Sequence, residues 1–276
     1  METARGNVGS SRRLRLPSVT LLTRIYNNSQ LDQVDGNLKT LLRGLKVKTR
    51  ILGADSLRLV QISISGEDEN VAVRYLDDNI GLCPTSLERI RKYSTFKGYV
   101  ADPSNSKNEL WIDIGVSSPS HVKAAVPLSR LQAQLSDGRK IALSKMTELF
   151  GFCENLPLHI RVTSVDYEKK YIEAELSEKQ QEQFAGWTRS LLDRLLILGA
   201  SYSEVKSAIR RAELSRDIVR VESLGMFENA VLCKLGTDAA GLIPKMGKSL
   251  RRAVFSVFNP RKILALLGYD STLFAS

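Results

Sequence analysis

The sequence predicts an α+β chain built from several small domains, not one large core. Three observations carry that expectation. The chain has 276 residues, long enough for two or three compact units. Its apolar pattern changes character twice. Helical and alternating segments share residues 18–95, short strands between Pro, Ser and Asn turns fill 96–177, and helices mix with strands again over 178–276. Composition is ordinary for a globular protein, at 43% hydrophobic and 25% charged, so each unit has material for a core.

Residues 1–17 carry Arg5, Arg12, Arg13 and Arg15 with no apolar stretch behind them. They are expected to form a flexible basic tail, because a signal peptide would need an apolar run there. Residues 18–95 are expected to form a small α/β domain in the order β-α-β-β-α. A strand over 19–25 leads to a helix over 31–44, where Leu31, Val34, Leu38, Leu41 and Leu42 recur at helical spacing and Gly44 stops it. Strands over 47–52 and 57–65 follow, the second alternating through Leu57, Leu59, Ile62 and Ile64. Then Ser65-Gly-Glu-Asp-Glu69 opens a helix that Gly81 ends. Three acids could suggest a metal site, but the positive end of the helix dipole explains them without one.

Residues 96–177 contain five short strands, at 96–100, 109–115, 124–128, 159–165 and 167–176, with a helix over 142–150 between the third and fourth. Five strands with glycines at the bends predict a small closed barrel. The segment resembles the OB-fold of the ribosomal protein S-one type. The matching residues are Gly98-Tyr-Val100, Ile112-Asp-Ile-Gly115, and Val162-Thr-Ser-Val-Asp166 with Leu176-Ser177. That resemblance implies a barrel that stacks RNA bases on exposed aromatic residues of its middle strands. Trp111 stands at one such position. The second falls at Asn108 or Glu109, and Pro127 replaces the usual His. The segment is electrically neutral, ten basic against ten acidic residues. Two roles are therefore open for it, an RNA platform and a surface for a protein partner. The alternation Leu110-Trp-Ile-Asp-Ile114 sets Trp111 on the face of Asp113 and predicts that it points outward.

Residues 178–276 are expected to hold a linker helix, over 178–198, and a C-terminal α/β domain. Phe184, Trp187, Leu191, Leu192, Leu195 and Leu196 form the linker's apolar stripe. A helix over 205–214 and a hairpin of strands 217–222 and 230–235 follow. The stretch DAAGLIPKMGKSLRRAV, residues 238–254, then ends its loop in Gly-Lys-Ser as a nucleotide-binding P-loop does. A P-loop encloses four residues between its glycines. Here five lie between Gly241 and Gly247, and one is Pro244, which lacks the N–H a phosphate cradle uses. The stretch instead predicts a short helix over 238–243, a tight turn over 244–247 and a second helix over 248–257. It resembles the KH domain, whose Gly-x-x-Gly turn brings two helix ends against a nucleic-acid backbone. Lys245, Gly247 and Lys248 match that turn, while Pro244 replaces its first glycine. A structural corner between two helices is the competing reading.

Net charge is +10, and from Pro244 to Lys262 there are six Lys or Arg and no acid. Such a patch suits a phosphate-rich partner through counterion release, or equally a solvated face. End to end, residues 18–265 resemble the archaeal family known as domain of unknown function 2110. The resemblance rests on Ile64-Ser-Gly-Glu-Asp-Glu69, Glu148-Leu-Phe-Gly151 with Asn155-Leu-Pro157, Asp217-Ile-Val-Arg-Val-Glu-Ser-Leu-Gly225, and Cys233-Lys-Leu-Gly-Thr-Asp-Ala239 with Gly241-Leu-Ile-Pro244. It implies an archaeal origin and no activity.

The expected function is therefore a non-enzymatic RNA-binding protein associated with ribosomes or transcription. Its expected contacts are Lys245, Gly247, Lys248, Arg251, Arg252, Trp111, Arg12 and Arg13. The alternatives are a scaffold that docks a protein on the neutral barrel, and an enzyme whose site forms only by convergence in space. Sequence shows no paired His/carboxylate site, no Cys–His pair and no metal-ligand spacing, so no cofactor or metal is expected. No apolar run nears the roughly 18 residues of a membrane span. Three widely spaced cysteines, Cys83, Cys153 and Cys233, argue against a disulfide framework and for a reducing compartment such as the cytoplasm.

Overall fold

A computed structural model of the protein describes residues 18–268. The N-terminal layer follows the expected order: β1 (Ser18–Arg24), α1 (Gln30–Leu41), β2 (Val47–Ala54), β3 (Leu59–Gly66) and α2 (Glu69–Asn79). Its sheet is antiparallel in the order β1-β3-β2, so β3 is central and mostly buried, while β2 alternates along an edge. The acids before α2 serve the chain itself. Asp68 accepts from the Lys46 backbone N–H at 2.7 Å and Glu67 pairs with the Lys46 ammonium at 2.8 Å.

The central region is a closed barrel of five strands. They are β5 (Thr95–Val100), β6 (Glu109–Ser118), β7 (Val122–Pro127), β8 (Pro157–Asp166) and β9 (Tyr171–Leu176), with a two-residue strand β4 (Thr85–Ser86) laid parallel to β6. Pairing runs β6-β5-β8-β9-β7 and returns from β7 to β6, with β7–β9 the parallel contact. Two helices, α3 (Leu128–Leu135) and α4 (Leu143–Phe150), fill the connection between β7 and β8. The arrangement is OB-like. Two glycines of the quoted motifs are required by geometry. A Cβ on Gly98 would sit 2.7 Å from the Asp113 carbonyl oxygen, where β5 crosses β6. Gly115 has φ +83°, and its Cβ would lie 2.6 Å from the Cys83 Sγ, where the barrel meets the N-terminal layer.

The C-terminal part departs from expectation in three places. The helix expected over 178–198 stops early: α5 (Glu178–Arg189) gives way to a strand, β10 (Arg194–Leu198). All five residues of β10 are buried, and its two faces serve different cores. Leu196 and Leu198 pack with the barrel, whereas Leu195 and Ile197 pack under the C-terminal helices. A strand buried on both faces has a continuous apolar run, which periodicity does not separate from a buried helix.

The other two departures lie in residues 238–257. In place of a short helix and a turn there is one helix, α7 (Ala239–Gly247), capped by the Asp238 carboxylate on the Ala240 N–H and carrying Pro244 inside it. The helix expected over 248–257 is a loop followed by strand β13 (Val254–Phe258), which pairs antiparallel with β10. The KH-type helix–turn–helix corner is therefore not formed. β-Branched and aromatic residues in Val254-Phe-Ser-Val-Phe258 suit a strand, and β10 offers an open edge.

With α6 (Tyr202–Arg211), β11 (Ile218–Ser223), β12 (Glu228–Cys233) and α8 (Pro260–Leu266), the sheet order is β11-β12-β10-β13, antiparallel throughout. A β-α-β-β-α-β chain with this order is the split β-α-β arrangement. The parts share their cores: Phe227, from the β11–β12 turn, packs among Leu21, Val34 and Leu38 of the N-terminal layer. No helix among the described residues is long and apolar enough to cross a membrane.

Candidate nucleic-acid interface

Where β1, the barrel and the C-terminal sheet meet, polar side chains form the contacts between them. Arg24, at the end of β1, reaches into the barrel. Its Nη2 lies 2.7 Å from Asp113 Oδ2, its Nη1 donates to Asn155 Oδ1, and its guanidinium stacks 4.9 Å from the Tyr99 ring centroid. Asp113 faces outward from the barrel, as the alternation predicts, but the N-terminal layer covers it to 4% exposure. Its other oxygen contacts His121 Nε2 at 3.3 Å and accepts from the Gly115 N–H at 3.0 Å.

Asp113 and His121 carry no paired His/carboxylate signal in the sequence, because they stand eight residues apart and meet across the turn between β6 and β7. No hydroxyl or thiol among the described residues hydrogen-bonds His121, and burial pushes the nearby Cys83 thiol well above its ordinary range.

Above this floor opens a cleft of about 640 Å³, bordered by Arg58 from the β2–β3 turn, Lys123 from β7 and Arg252 from the α7–β13 loop. Arg252 also borders a second cleft, of about 330 Å³, together with Lys248, Arg251 and the Asn27–Ser29 segment before α1. The structure thus gathers Lys248, Arg251 and Arg252 into one exposed loop. Lys245 is exposed on α7 and lines neither cleft. Gly247 ends α7, and nothing lies within 4 Å of where its Cβ would stand, so no close backbone approach requires a glycine there. Arg12 and Arg13 lie outside the described residues.

Trp111 is half-buried on the outer barrel face, its ring edge-on to Tyr171 at 6.1 Å, while Leu110, Ile112 and Ile114 point into the core with no exposure. Its register partner on β7 is Ala125, two residues from Lys123 on the same face. Arg58 and Lys123 had no signal in the sequence, since each is a lone cation among neutral neighbours.

Four cations of the loop region, Lys245, Lys248, Arg251 and Arg252, make no ion pair or side-chain hydrogen bond among the described residues. Elsewhere some exposed cations do pair with acids, as at Lys46–Glu67, Lys145–Glu148 and Arg161–Glu175.

Fold and site together define a three-part protein in which an OB-like barrel is flanked by two α/β layers, with a basic loop at their junction. Family models match it in the same order: the DUF2110 N-terminal domain over residues 18–85, the DUF2110 central domain over 90–188 and the DUF2110 C-terminal domain over 192–258. The chain belongs to the DUF2110 family. No curated protein matches it. Solved structures are similar in part, among them the following two. One is the a/eIF2alpha-aDim2p-rRNA complex from Pyrococcus horikoshii OT3, at 10% identity over 45% of this chain and 64% of that chain, with a TM-score of 0.25. The other is the intact alpha subunit of aIF2 from Pyrococcus abyssi, at 10% identity over 61% of this chain and 96% of that chain, with a TM-score of 0.24.

Proposed function

We infer that the protein is a non-enzymatic RNA-binding protein, working with ribosomal RNA or nascent transcripts in an archaeon. Its barrel acts as an S-one-type OB-fold. The observation that carries this reading is the set of unpaired, exposed cations at Lys245, Lys248, Arg251 and Arg252. Like charges gathered without acids repel one another, and a polyanion relieves that repulsion while releasing its own counterions. Trp111 supplies the stacking surface such a barrel uses, and its half-buried setting leaves part of the side chain exposed.

Replacing the four cations by Ala tests the reading. Each phosphate contact on a single strand contributes roughly 0.7 to the slope of log K against log salt, so the slope should fall by about 2–3. Fluorescence anisotropy with an unstructured oligoribonucleotide measures it. The melting temperature should hold, because all four side chains are exposed. An unchanged slope would place binding elsewhere and overturn the assignment.

A further inference from the structure

The basic loop does not end at its own cleft. Arg252 borders both that cleft and the larger one over the three-way junction, so the two are joined through a single guanidinium. In the larger cleft, Arg252 meets Arg58 from the N-terminal layer and Lys123 from the barrel. None of the three has an ion pair or side-chain hydrogen bond among the described residues. The acids at the same cleft are mostly engaged. Asp113 is held by Arg24 at 2.7 Å and by His121 at 3.3 Å, and Asp102 accepts from the Ser104 backbone N–H at 2.9 Å and hydroxyl at 2.7 Å. That leaves two carboxylates without an ion pair, Glu154 and Asp102, the second within electrostatic reach of Lys123, against three cations without one.

We propose that the junction cleft is a phosphate site for single-stranded RNA, formed by Arg58, Lys123 and Arg252, and that it carries the strand from the basic loop to Trp111. The proposal rests on the RNA-binding reading above and deepens it, since it names where the backbone runs. Three features of the geometry support the path. The cations come from three different parts of the chain and converge only when those parts are docked. The floor beneath them is polar and fixed, because Arg24 ties β1 to both Asp113 and Asn155. At the far end, Lys123 and Trp111 share the outer barrel face: Ala125 is the register partner of Trp111, and Ala101, which lines the cleft, donates its N–H to the Trp111 carbonyl at 2.8 Å. A strand whose phosphates sit on Arg252, Arg58 and Lys123 thus reaches the indole with a base free to stack.

The test uses the full chain with Trp187→Phe, so that Trp111 is the single indole, and an unstructured 12-nucleotide oligoribonucleotide, within the span of roughly 4–16 nucleotides that such barrels cover. The double variant Arg58→Ala/Lys123→Ala should lower the salt slope by about 1–1.5, two contacts at roughly 0.7 each. It should also abolish the quenching of Trp111 by RNA while leaving residual binding through Lys248 and Arg251. Arg58→Lys/Lys123→Arg keeps both charges and should restore slope and quenching. Suppose instead that the double Ala variant keeps its slope and quenching while Lys248→Ala/Arg251→Ala weakens binding. The junction site would then be overturned and the basic loop would stand alone. If the parent protein binds no RNA at all, the functional reading fails first and the path falls with it.

Discussion

Trp111 separates two roles that the same side chain could play. A core tryptophan replaced by Ala leaves a cavity and costs several kcal/mol, roughly 3–5 for a large aromatic. A platform tryptophan costs affinity, about 1–3 kcal/mol per stacked base, and little stability. The half-buried ring, edge-on to Tyr171 and outside the buried triad Leu110, Ile112 and Ile114, fits the second role. Trp111→Ala should therefore lower the melting temperature by only about 2–4 °C, the shift that 1 kcal/mol produces in a chain this large. Calorimetry showing a fall beyond roughly 10 °C would place the indole in the core.

At the scale of elements, β10 and β13 decide how the C-terminal sheet is joined to the barrel. Phe258, the last residue of β13, is fully buried among Phe150 of α4, and Phe184 and Trp187 of α5. Its ring stacks on Phe184 at 5.9 Å with 6° between planes and meets Trp187 edge-on at 5.1 Å. One side chain therefore binds a strand of one unit to two helices of another. Phe258→Ala should destabilise by about 3–5 kcal/mol, because the surrounding rings cannot collapse into the space. Urea unfolding followed by Trp187 fluorescence reads this contact directly. A loss below about 1 kcal/mol would show that the aromatic cluster does not couple the two units.

Across the whole molecule, the N-terminal layer is fastened to the C-terminal sheet through a buried carboxyl. Tyr26 donates its hydroxyl to Glu228 Oε1 at 2.8 Å, and Glu228 Oε2 has no hydrogen-bond partner. Burial is the chief reason that the Glu228 carboxyl is raised to about 7, although the Tyr26 hydroxyl and the Lys97 and Arg24 charges pull the other way. A carboxyl raised in the folded state contributes stability that is whole below its unfolded value of 4.5 and is lost as pH climbs through about 7. His159 runs opposite: burial, then Lys179 and Lys97, lower it from 6.5 to about 4, so its contribution is whole above 6.5 and lost as pH falls through about 4. The two offset each other over the acidic range in the wild type. Glu228→Gln removes one of them. Relative to wild type, the variant should gain stability steadily between pH 4.5 and 7, reaching about 3 kcal/mol at 1.36 kcal/mol per pH unit, and then level off. Chemical denaturation across that range measures the difference, and a flat difference profile would mean Glu228 is already ionised in the folded state.

Sequence by itself determined the parts whose pattern is local. The β-α-β-β-α order of residues 18–95, the five barrel strands with the second of their two inserted helices, and the outward side of Trp111 are all written in alternation and turn residues, which short-range sterics and one-sided burial enforce. Membership in the DUF2110 family was legible in the same way, from short runs such as Cys233-Lys-Leu-Gly-Thr-Asp-Ala239. Tertiary structure decided what no local pattern encodes. Leu195-Leu-Ile-Leu198 is a strand because two separate cores claim its two faces, and residues 254–258 form a strand because β10 has an edge to fill. The pairing of Asp113 with Arg24, and the meeting of Arg58, Lys123 and Arg252, join residues far apart in the chain. Such contacts arise only when whole layers pack against one another, because the apolar area buried between layers sets their docking and the polar residues at the seam take the positions that docking leaves them.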